Sequence, residues 1–436
     1  MKVLRVGVLG FGTVGRGVVR MLLDHPDLLA SRTGCQVELR RIADRDLEKD
    51  RGVTLPDTVE LVDDAALVTK ADDIDVVCEL IGGTGIAYTL ANEALESGKH
   101  VVTANKALIA TKGNELIDTA NRAGVELMYE AAVGGTIPII KPIRESLAGN
   151  AISEIYGILN GTCNYILTEM REKGLSFETV LADAQERGYA EADPTFDVDG
   201  IDAAHKLTIL ASIAFGMPLA FDKVACEGVR HISDVDIAWA TEMGYRIKLL
   251  GIAKQKDGKV EMRVQPTLVE ATSMLGAVEG VFNAVFVNSD YADATMYYGR
   301  GAGEEPTASA VISDVTDIAR NVVSGAKMPR IFPLNTRHED LKMPPMRPQE
   351  EMQGAYYLRL SVLDQPGVLA DITAVLKDHD VSIDAIVQKA RSPMEHVPLV
   401  MVTHEATEKQ VMDSLEAIKQ LSTVNEQPRF IRIETL

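Results

Sequence analysis

Five carboxylates and one lysine are concentrated in the stretch GYAEADPTFDVDGIDAAHK, residues 188–206. Three kinds of site contain so much negative charge: a divalent-metal loop, a solvated acidic surface, or a pocket that holds a cationic small molecule beside a catalytic lysine. The acids do not follow the EF-hand spacing and Pro194 interrupts them, which disfavours the metal loop. The choice between the other two depends on the rest of the chain.

The last acid and the lysine of this stretch form a spaced pair. Asp202 and Lys206 are four residues apart, which places them on one helix face if residues 199–210 are helical. Such a pair is commonly a surface salt bridge, but the apolar run 207–220 that follows predicts a buried helix, so this face is expected to line a cleft. Burial would lower the pKa of Lys206 and the adjacent carboxylate would raise it, so the net direction stays open.

Glycines with a second kind of chemistry occur at the N-terminus. Gly10, Gly12 and Gly15 fit the spacing G-x-G-x-x-G between a strand pattern and a helix pattern. These glycines provide a tight turn, close approach to a pyrophosphate, and close packing of helix on strand. The pattern predicts dinucleotide binding, with a simple glycine-rich turn as the alternative.

Charged residues follow the predicted strands of the same region. The strand 37–43 ends at Asp44, which suits the ribose of NAD, and is followed by Arg45, Lys49 and Arg51, which suit the extra phosphate of NADP. Cofactor preference therefore stays open, and an ordinary charged surface loop is the alternative. Lys106 closes the strand signal of residues 99–106. A lysine at such a strand end would face the nicotinamide and substrate, and a helix-capping surface cation is the alternative.

Composition restricts the classes of partner. The chain has 436 residues, 46% of them hydrophobic, and a formal net charge of −20, which repels nucleic acid. No signal peptide or membrane span is indicated, and the four cysteines form no C-x-x-C pair, so we expect a cytoplasmic protein without a zinc site or disulfides.

The order of strand and helix patterns predicts an α/β protein with three domains. A doubly wound parallel sheet of the Rossmann type is expected for residues 1–130, joined by a returning helix at about 305–325. An α+β domain with a mixed sheet and few helices, for substrate binding and dimerisation, is expected for 131–304. A proline-rich linker is expected for 326–354, and a ferredoxin-like βαββαβ domain for 355–436.

Six motifs in register, and a seventh near the C-terminus, resemble the homoserine dehydrogenase family with a C-terminal ACT domain. They are GFGTVG (10–15), VVTANKAL (101–108), YEAAVGGTIPII (129–140), GILNGTCNYIL (157–167), GYAEADPTFDVDGIDAAHKL (188–207), GAGEEPTASAV (301–311) and DQPGVLA (364–370). The resemblance implies NADP- or NAD-dependent interconversion of L-homoserine and L-aspartate 4-semialdehyde, in threonine and methionine biosynthesis.

The resemblance also implies site residues, matched position by position. The catalytic set is Lys206 as proton donor, with Lys106 and Asp202. Substrate binding is implied for Glu191, Asp202, Thr162 and Asp197, with the two carboxylates Glu191 and Asp202 on the substrate ammonium. Cofactor binding is implied for Gly10, Phe11, Gly12, Thr13, Val14, Gly15, Arg45, Lys106, Gly188 and Gly303. A monovalent cation, Na⁺ or K⁺, is implied at Glu130, Val133, Gly135 and Ile137, where hard cations prefer oxygen ligands.

Regulation and assembly are implied in the same way: threonine as effector at the ACT domain, and a homodimer or homotetramer. Two alternatives use other chemistry. Cys163 could act as the nucleophile of an aldehyde-oxidising dehydrogenase, although no histidine accompanies it locally. The chain could also be a non-catalytic amino-acid sensor, but the positions of Lys106, Asp202 and Lys206 all match the catalytic pattern.

Overall fold

A six-stranded parallel sheet forms the first part of the chain, in a computed structural model that describes residues 1–325, 330–388 and 395–436. Its strands run in the spatial order β3-β2-β1-β4-β5-β6. This is the predicted doubly wound arrangement, whose ligands lie beyond the carboxyl ends of the strands, where the order reverses. The strands are β1 (Lys2–Leu9), β2 (Cys35–Ala43), β3 (Glu60–Val62), β4 (Val76–Glu79), β5 (His100–Thr103) and β6 (Leu127–Met128).

Helices cover both faces of this sheet. They are α1 (Thr13–Asp24), α2 (Pro26–Thr33), α3 (Ala66–Thr69), α4 (Ile86–Glu96) and α5 (Lys106–Ala123), with α11 (Glu304–Ser324) returning from much later in the chain. The returning helix shares a buried core with α1, to which Val18 of α1 and Val311 and Val315 of α11 belong. Gly17 permits this close approach, since a Cβ there would lie 2.9 Å from the carbonyl oxygen of Glu304.

A second, mixed sheet follows. Its strands are β7 (Ile152–Ile158), β8 (Ala225–Cys226), β9 (Tyr245–Lys256), β10 (Lys259–Glu270), β11 (Phe282–Ser289) and β12 (Asp293–Arg300). The central pairs are antiparallel, including β7 with β9 and β9 with β10, while β8 pairs with β10 in parallel. The mixed sheet is as predicted.

The expectation of few helices in this region was wrong. Five lie between β7 and β9: α6 (Gly161–Lys173), α7 (Phe177–Glu186), α8 (Thr195–Val198), α9 (Ile201–Phe215) and α10 (Asp234–Glu242). Several begin at side-chain caps, such as Asn160 on α6 and Ser176 on α7. Each cap accepts a hydrogen bond from a free N–H group of the first turn and so stabilises the start of its helix.

The C-terminal region has the predicted βαββαβ order. Its elements are β13 (Gln353–Leu363), α12 (Val368–Asp378), β14 (Ile383–Val387), β15 (His396–Thr403), α13 (Glu408–Lys419) and β17 (Arg429–Glu434), with the short β16 (Ala406–Thr407) beside β13. This region is not a separate sheet. Thr267 of β10 pairs in parallel with Arg432 of β17, so one eleven-stranded sheet spans both parts.

Of the predicted linker, residues 326–329 lie outside the described part. The segment that follows is attached to the sheet: Val260 N donates to Pro345 O, and Arg347 N donates to Val260 O at 2.7 Å. No helix within the described ranges is long and apolar enough to cross a bilayer.

Candidate active site

A cavity of about 690 Å³ lies beyond the carboxyl ends of β1, β2 and β4. Gly10 adopts φ +94°, and a Cβ on Gly15 would lie 2.0 Å from the carbonyl oxygen of Gly10, so both positions require glycine. Beside Gly12 there is open space, and α1 begins there without a side-chain cap. Free N–H groups at a helix N-terminus that faces a cavity form an anion site, which fits a pyrophosphate.

The end of β2 carries a closed polar cluster. Asp44 accepts hydrogen bonds from the N–H groups of Phe11 (2.6 Å) and Asp46 (3.0 Å), and forms an ion pair with Arg51 at 2.8 Å. Burial raises the pKa of Asp44, but these hydrogen bonds and the Arg51 charge lower it by more. Asp44 and Arg45 both line the cavity.

Arg51 is buried, although its place in a charged segment suggested a position at the surface. It is 8% exposed, donates to the carbonyl oxygen of Phe11 at 2.9 Å, and lies over the Phe11 ring at 5.0 Å. The charged segment therefore separates into an exposed Arg45 and a buried Arg51, which sequence spacing alone does not distinguish.

Glu79, the last residue of β4, links this strand to β5, and no sequence pattern predicted it. This fully buried carboxylate accepts hydrogen bonds from Ile81 N and from the Thr103 hydroxyl at 2.6 Å. Beyond it, Asn105 donates to Gly83 O and caps α5. Lys106, the first residue of α5, is thereby held beside the turn that follows β4.

Asp202 holds both predicted lysines. Its Oδ1 lies 2.7 Å from Lys106 Nζ and its Oδ2 lies 2.7 Å from Lys206 Nζ. The Asp202 and Lys206 side chains are 3% and 9% exposed, whereas that of Lys106 is 36% exposed. The spacing of Asp202 and Lys206 predicted a shared helix face, and the apolar run 207–220 predicted its burial. Lys106 joins the pair from another domain.

The shared carboxylate affects the two ammonium groups differently. Burial lowers the pKa of Lys206, and the positive charge of Lys106 lowers it further against the attraction of Asp202, so the net direction is down. Burial also lowers the pKa of Lys106, but the charges of Asp202, Asp197 and Glu191 outweigh it, so the net direction is up. Lys206 is therefore the better proton donor of the pair.

Two groups at the end of β7 complete this arrangement, and neither was predicted. Lys206 Nζ donates to the carbonyl oxygen of Leu159 at 2.7 Å. Asn160 donates to both Asp197 (2.8 Å) and Asp202 (2.9 Å). Leu159 and Asn160 lie more than forty residues from Lys206 along the chain, and no local sequence pattern predicts contacts over such a separation.

The remaining acids of the opening stretch have separate contacts. Asp193 accepts from Thr195 N and caps the turn before α8, and Asp199 is paired with Arg230 at the surface. Asp197 is half-buried, and burial with the Asp202 charge raises its pKa. Glu191 is exposed, and its negative charge lies near enough to Lys106 to raise the pKa of that lysine.

Thr162 contacts this loop from α6. Its hydroxyl donates to Tyr189 O at 2.6 Å, and Gly188 precedes that residue at φ +75°. Gly188 and Gly303 lie outside the lining of the 690 Å³ cavity; Gly303 instead caps α11, where Glu304 pairs with Arg16 of α1. Thr13 and Val14 occupy the first turn of α1.

Aromatic rings enclose the far side of α9. His205 stacks on Phe221 with ring centroids 4.3 Å apart and contacts Phe196 at 5.4 Å. The Lys106 ammonium lies 5.7 Å from the centre of the Phe196 ring. Burial lowers the pKa of His205 to about 4, so His205 is a neutral packing residue at neutral pH.

The surroundings of Cys163 disfavour the thiolate form of its side chain. It is fully buried and its thiol donates to Asp197 O at 3.2 Å. Burial and three nearby aspartates raise its pKa well above the usual value. The thiol-nucleophile alternative therefore has no chemical support in this site.

The predicted cation loop is built around two buried acids. Glu130 accepts from Ile140 N (3.0 Å) and Lys141 N (2.9 Å), and its own N–H donates to Asp314 of α11. Burial and the Asp314 charge raise the pKa of Glu130 to about 7. Lys141 and the buried Arg144 lie near these two acids and oppose the rise in pKa, so the protein itself supplies positive charge beside the loop.

Comparison with known proteins gives one consistent result. Family models described as "Homoserine dehydrogenase, NAD binding domain", "Homoserine dehydrogenase" and "ACT domain" match residues 10–130, 138–316 and 356–420. A homoserine dehydrogenase of Pseudomonas aeruginosa is 47% identical, and one of Neisseria gonorrhoeae is 44% identical, each over 100% of both chains.

Solved structures agree. The crystal structure of a homoserine dehydrogenase from Thiobacillus denitrificans is 45% identical, with a TM-score of 0.94 over 100% of this chain and 99% of that one. A hyperthermophilic archaeal homoserine dehydrogenase in complex with NADPH is 25% identical, with a TM-score of 0.63 over 72% of this chain and 97% of its own.

Proposed function

The chain belongs to the homoserine dehydrogenase family, and we propose that Lys206 is the proton donor when this oxidoreductase reduces L-aspartate 4-semialdehyde to L-homoserine. One observation carries the proposal. An ammonium has three N–H donors, and Lys206 uses one on Asp202 and one on Leu159 O, so one is left for the substrate.

The chemistry follows from this geometry. The bound nicotinamide cofactor supplies the hydride in reduction and accepts it in oxidation. Negative charge that develops on the aldehyde oxygen is stabilised by the Lys206 ammonium, which then donates its proton to that oxygen. In the reverse direction, the neutral amine of Lys206 accepts the proton of the homoserine hydroxyl.

We place the α-ammonium of the substrate at the acids that remain accessible. Glu191 is exposed and Asp197 half-buried, and Thr162 lies on the neighbouring helix. Asp202 was predicted to bind this ammonium directly, but both its oxygens already contact lysines. In our proposal Asp202 therefore orients Lys206 and Lys106, and Lys106 contacts substrate and cofactor.

We place the cofactor pyrophosphate at Gly10–Gly15 and the adenosine ribose beside Asp44 and Arg45. Arg45 is exposed and lines the cavity, so it is available for the 2′-phosphate of NADP. The NADPH complex of the archaeal relative supports this use of NADP, while Asp44 keeps NAD use open.

The test compares Lys206→Ala with Lys223→Ala, a surface lysine paired only with Asp222 in the described part of the chain. Loss of the proton donor should lower kcat by about 10²- to 10⁴-fold, with the Kd for NADPH nearly unchanged. The control should keep parental kcat. A Lys206→Ala variant with parental turnover would refute the assignment.

The cation belongs to the same proposal. Na⁺ or K⁺ would be held by the Glu130 carboxylate and the backbone carbonyls of Val133, Gly135 and Ile137. Its role would be structural, because the loop joins the cofactor domain to the substrate domain and to α11 through Asp314.

Threonine is the effector that we propose for the ACT domain, and a homodimer or homotetramer is the proposed assembly. In the described residues the large sheet ends in β12 and β14, each with a single neighbouring strand, and Tyr291 and Tyr298 are exposed near the β12 edge. Threonine should inhibit homoserine oxidation, whereas valine, which lacks the hydroxyl, should not. Equal rates with and without threonine would leave the domain a structural role only.

A further inference from the structure

We propose that Arg51 sets the preference between NADP and NAD from a buried position, by neutralising Asp44 and without touching the cofactor. The inference rests on the proposed placement of the adenosine ribose beside Asp44. It makes Arg51 a positioning and specificity residue of the known reaction.

The geometry points to an indirect effect, because Arg51 is not among the residues that line the cavity. The Arg51 side chain is 6% exposed, and its donors reach Asp44, Phe11 O, Lys49 O and Asp46 O. The Phe11 ring lies against the guanidinium. Four of the five guanidinium N–H groups are thus used within the protein, while the carboxylate that Arg51 neutralises lines the cavity.

The charge balance of the cavity makes this neutralisation important. Asp44, Asp63, Asp64 and Glu93 line the cavity, and Arg45 is the single cation among the described lining residues. A 2′-phosphate adds about −1.5 to −2 charge near neutral pH. Without Arg51, the nearest carboxylate would repel that phosphate and would be free to accept the 2′-hydroxyl of NAD.

The hydrogen-bond pattern explains why Asp44 stays in place. Its Oδ2 binds Phe11 N, inside the glycine loop, and its Oδ1 binds Asp46 N and Arg51. Asp44 therefore shapes the glycine loop, and Arg51 offsets the charge that this task brings into the cofactor cavity. The pair permits NADP use at a strand end that carries an acid.

A double-mutant cycle tests the proposal. The quantity is the ratio of kcat/KM with NADP to kcat/KM with NAD in homoserine oxidation, for the parent, Arg51→Met, Asp44→Asn and the double variant. Arg51→Met should lower the ratio about tenfold by exposing the Asp44 charge. In the Asp44→Asn background the same change should leave the ratio unaltered, and Arg51→Lys should keep the parental ratio.

An equal fall in both backgrounds would overturn the proposal, because Arg51 would then act by contact or through loop shape. If Arg51→Met binds neither cofactor, Asp44→Asn alone decides, since loss of the Asp44 carboxylate from the cavity should raise the ratio and an unchanged ratio would refute the idea. Arg45→Gln is the independent control. An unchanged ratio in that variant would refute the ribose placement on which the proposal rests, whereas a lowered ratio with an equal fall in both Asp44 backgrounds would refute the proposal alone.

Discussion

Replacement of Asp202 by Asn should be far more costly than replacement of Asp199 by Asn, although the two acids are three residues apart. Asp202 is 3% exposed and contacts Lys106, Lys206 and Asn160 within 2.9 Å. Asp199 is 38% exposed and pairs with Arg230. The structure therefore predicts a buried charge network for one acid and a solvated ion pair for the other.

The magnitudes follow from burial. Removal of one partner of a buried ion pair costs about 3–5 kcal/mol, whereas exposed pairs contribute about 0–1 kcal/mol. Because the pKa of Lys206 is already lowered, Lys206 can lose its proton in Asp202→Asn instead of remaining an unpaired buried cation. We therefore expect a loss near the lower limit, about 3 kcal/mol, in the free energy of unfolding.

Activity provides the second measurement. A neutral Lys206 cannot donate a proton, so kcat for semialdehyde reduction should fall about 10²- to 10⁴-fold at neutral pH. The fall should be smaller at lower pH, because removal of Asp202 moves the pKa of Lys206 further down. Urea unfolding and a pH profile of kcat would measure both effects. Similar losses for the Asp202 and Asp199 variants would refute the assignment of the shared carboxylate.

The remaining predictions concern the thiol, the cation loop and the second support of Asp202. Cys163→Ser should retain homoserine oxidation, since the thiol only packs and donates to Asp197 O; abolished activity in a folded variant would revive the thiol mechanism. The pKa of Glu130 is raised to about 7 in the folded protein, so between its ordinary value and about 7 the folded protein holds a proton on Glu130 that the unfolded chain has lost. The free energy of unfolding therefore falls as pH rises through this range. Na⁺ or K⁺ should then raise Tm more at about pH 8 than at about pH 5.5, while choline chloride at equal ionic strength should not. Asn160→Ala should lower kcat with little change in the Kd for NADPH, and an unchanged kcat would show that Asp202 is held by the lysines alone.

Local patterns predicted much of the fold and part of the site. The glycine spacing, the strand and helix alternation, and the i, i+4 spacing of Asp202 and Lys206 are short-range signals, and the structure shows the corresponding loop, sheet and helix contact. The family motifs implied that Lys106 belongs to the site, although its contact with Asp202 joins two domains.

Burial of polar groups and long-range partners were not predictable in the same way. Arg51 occurs among exposed charges in the sequence, and only its contacts with Phe11 and Asp44 reveal that it is buried. Glu79 and Asn160 make their bonds to residues that are distant in sequence or on other elements. Hydrogen bonds between residues that are distant along the chain leave no periodic pattern in one amino-acid sequence.

The pairing of β17 with β10 has a consequence for the order in which the protein is made. Glu434 of β17 contacts Lys254 and Arg263, both in the substrate domain, and β17 lies between β10 and β13 although it follows every other strand of this sheet in the chain. Until residues 429–434 emerge, β10 lacks this neighbour and Arg263 lacks its Glu434 partner. In a growing chain, β10 therefore gains its second long neighbour only after the ACT domain has been synthesised.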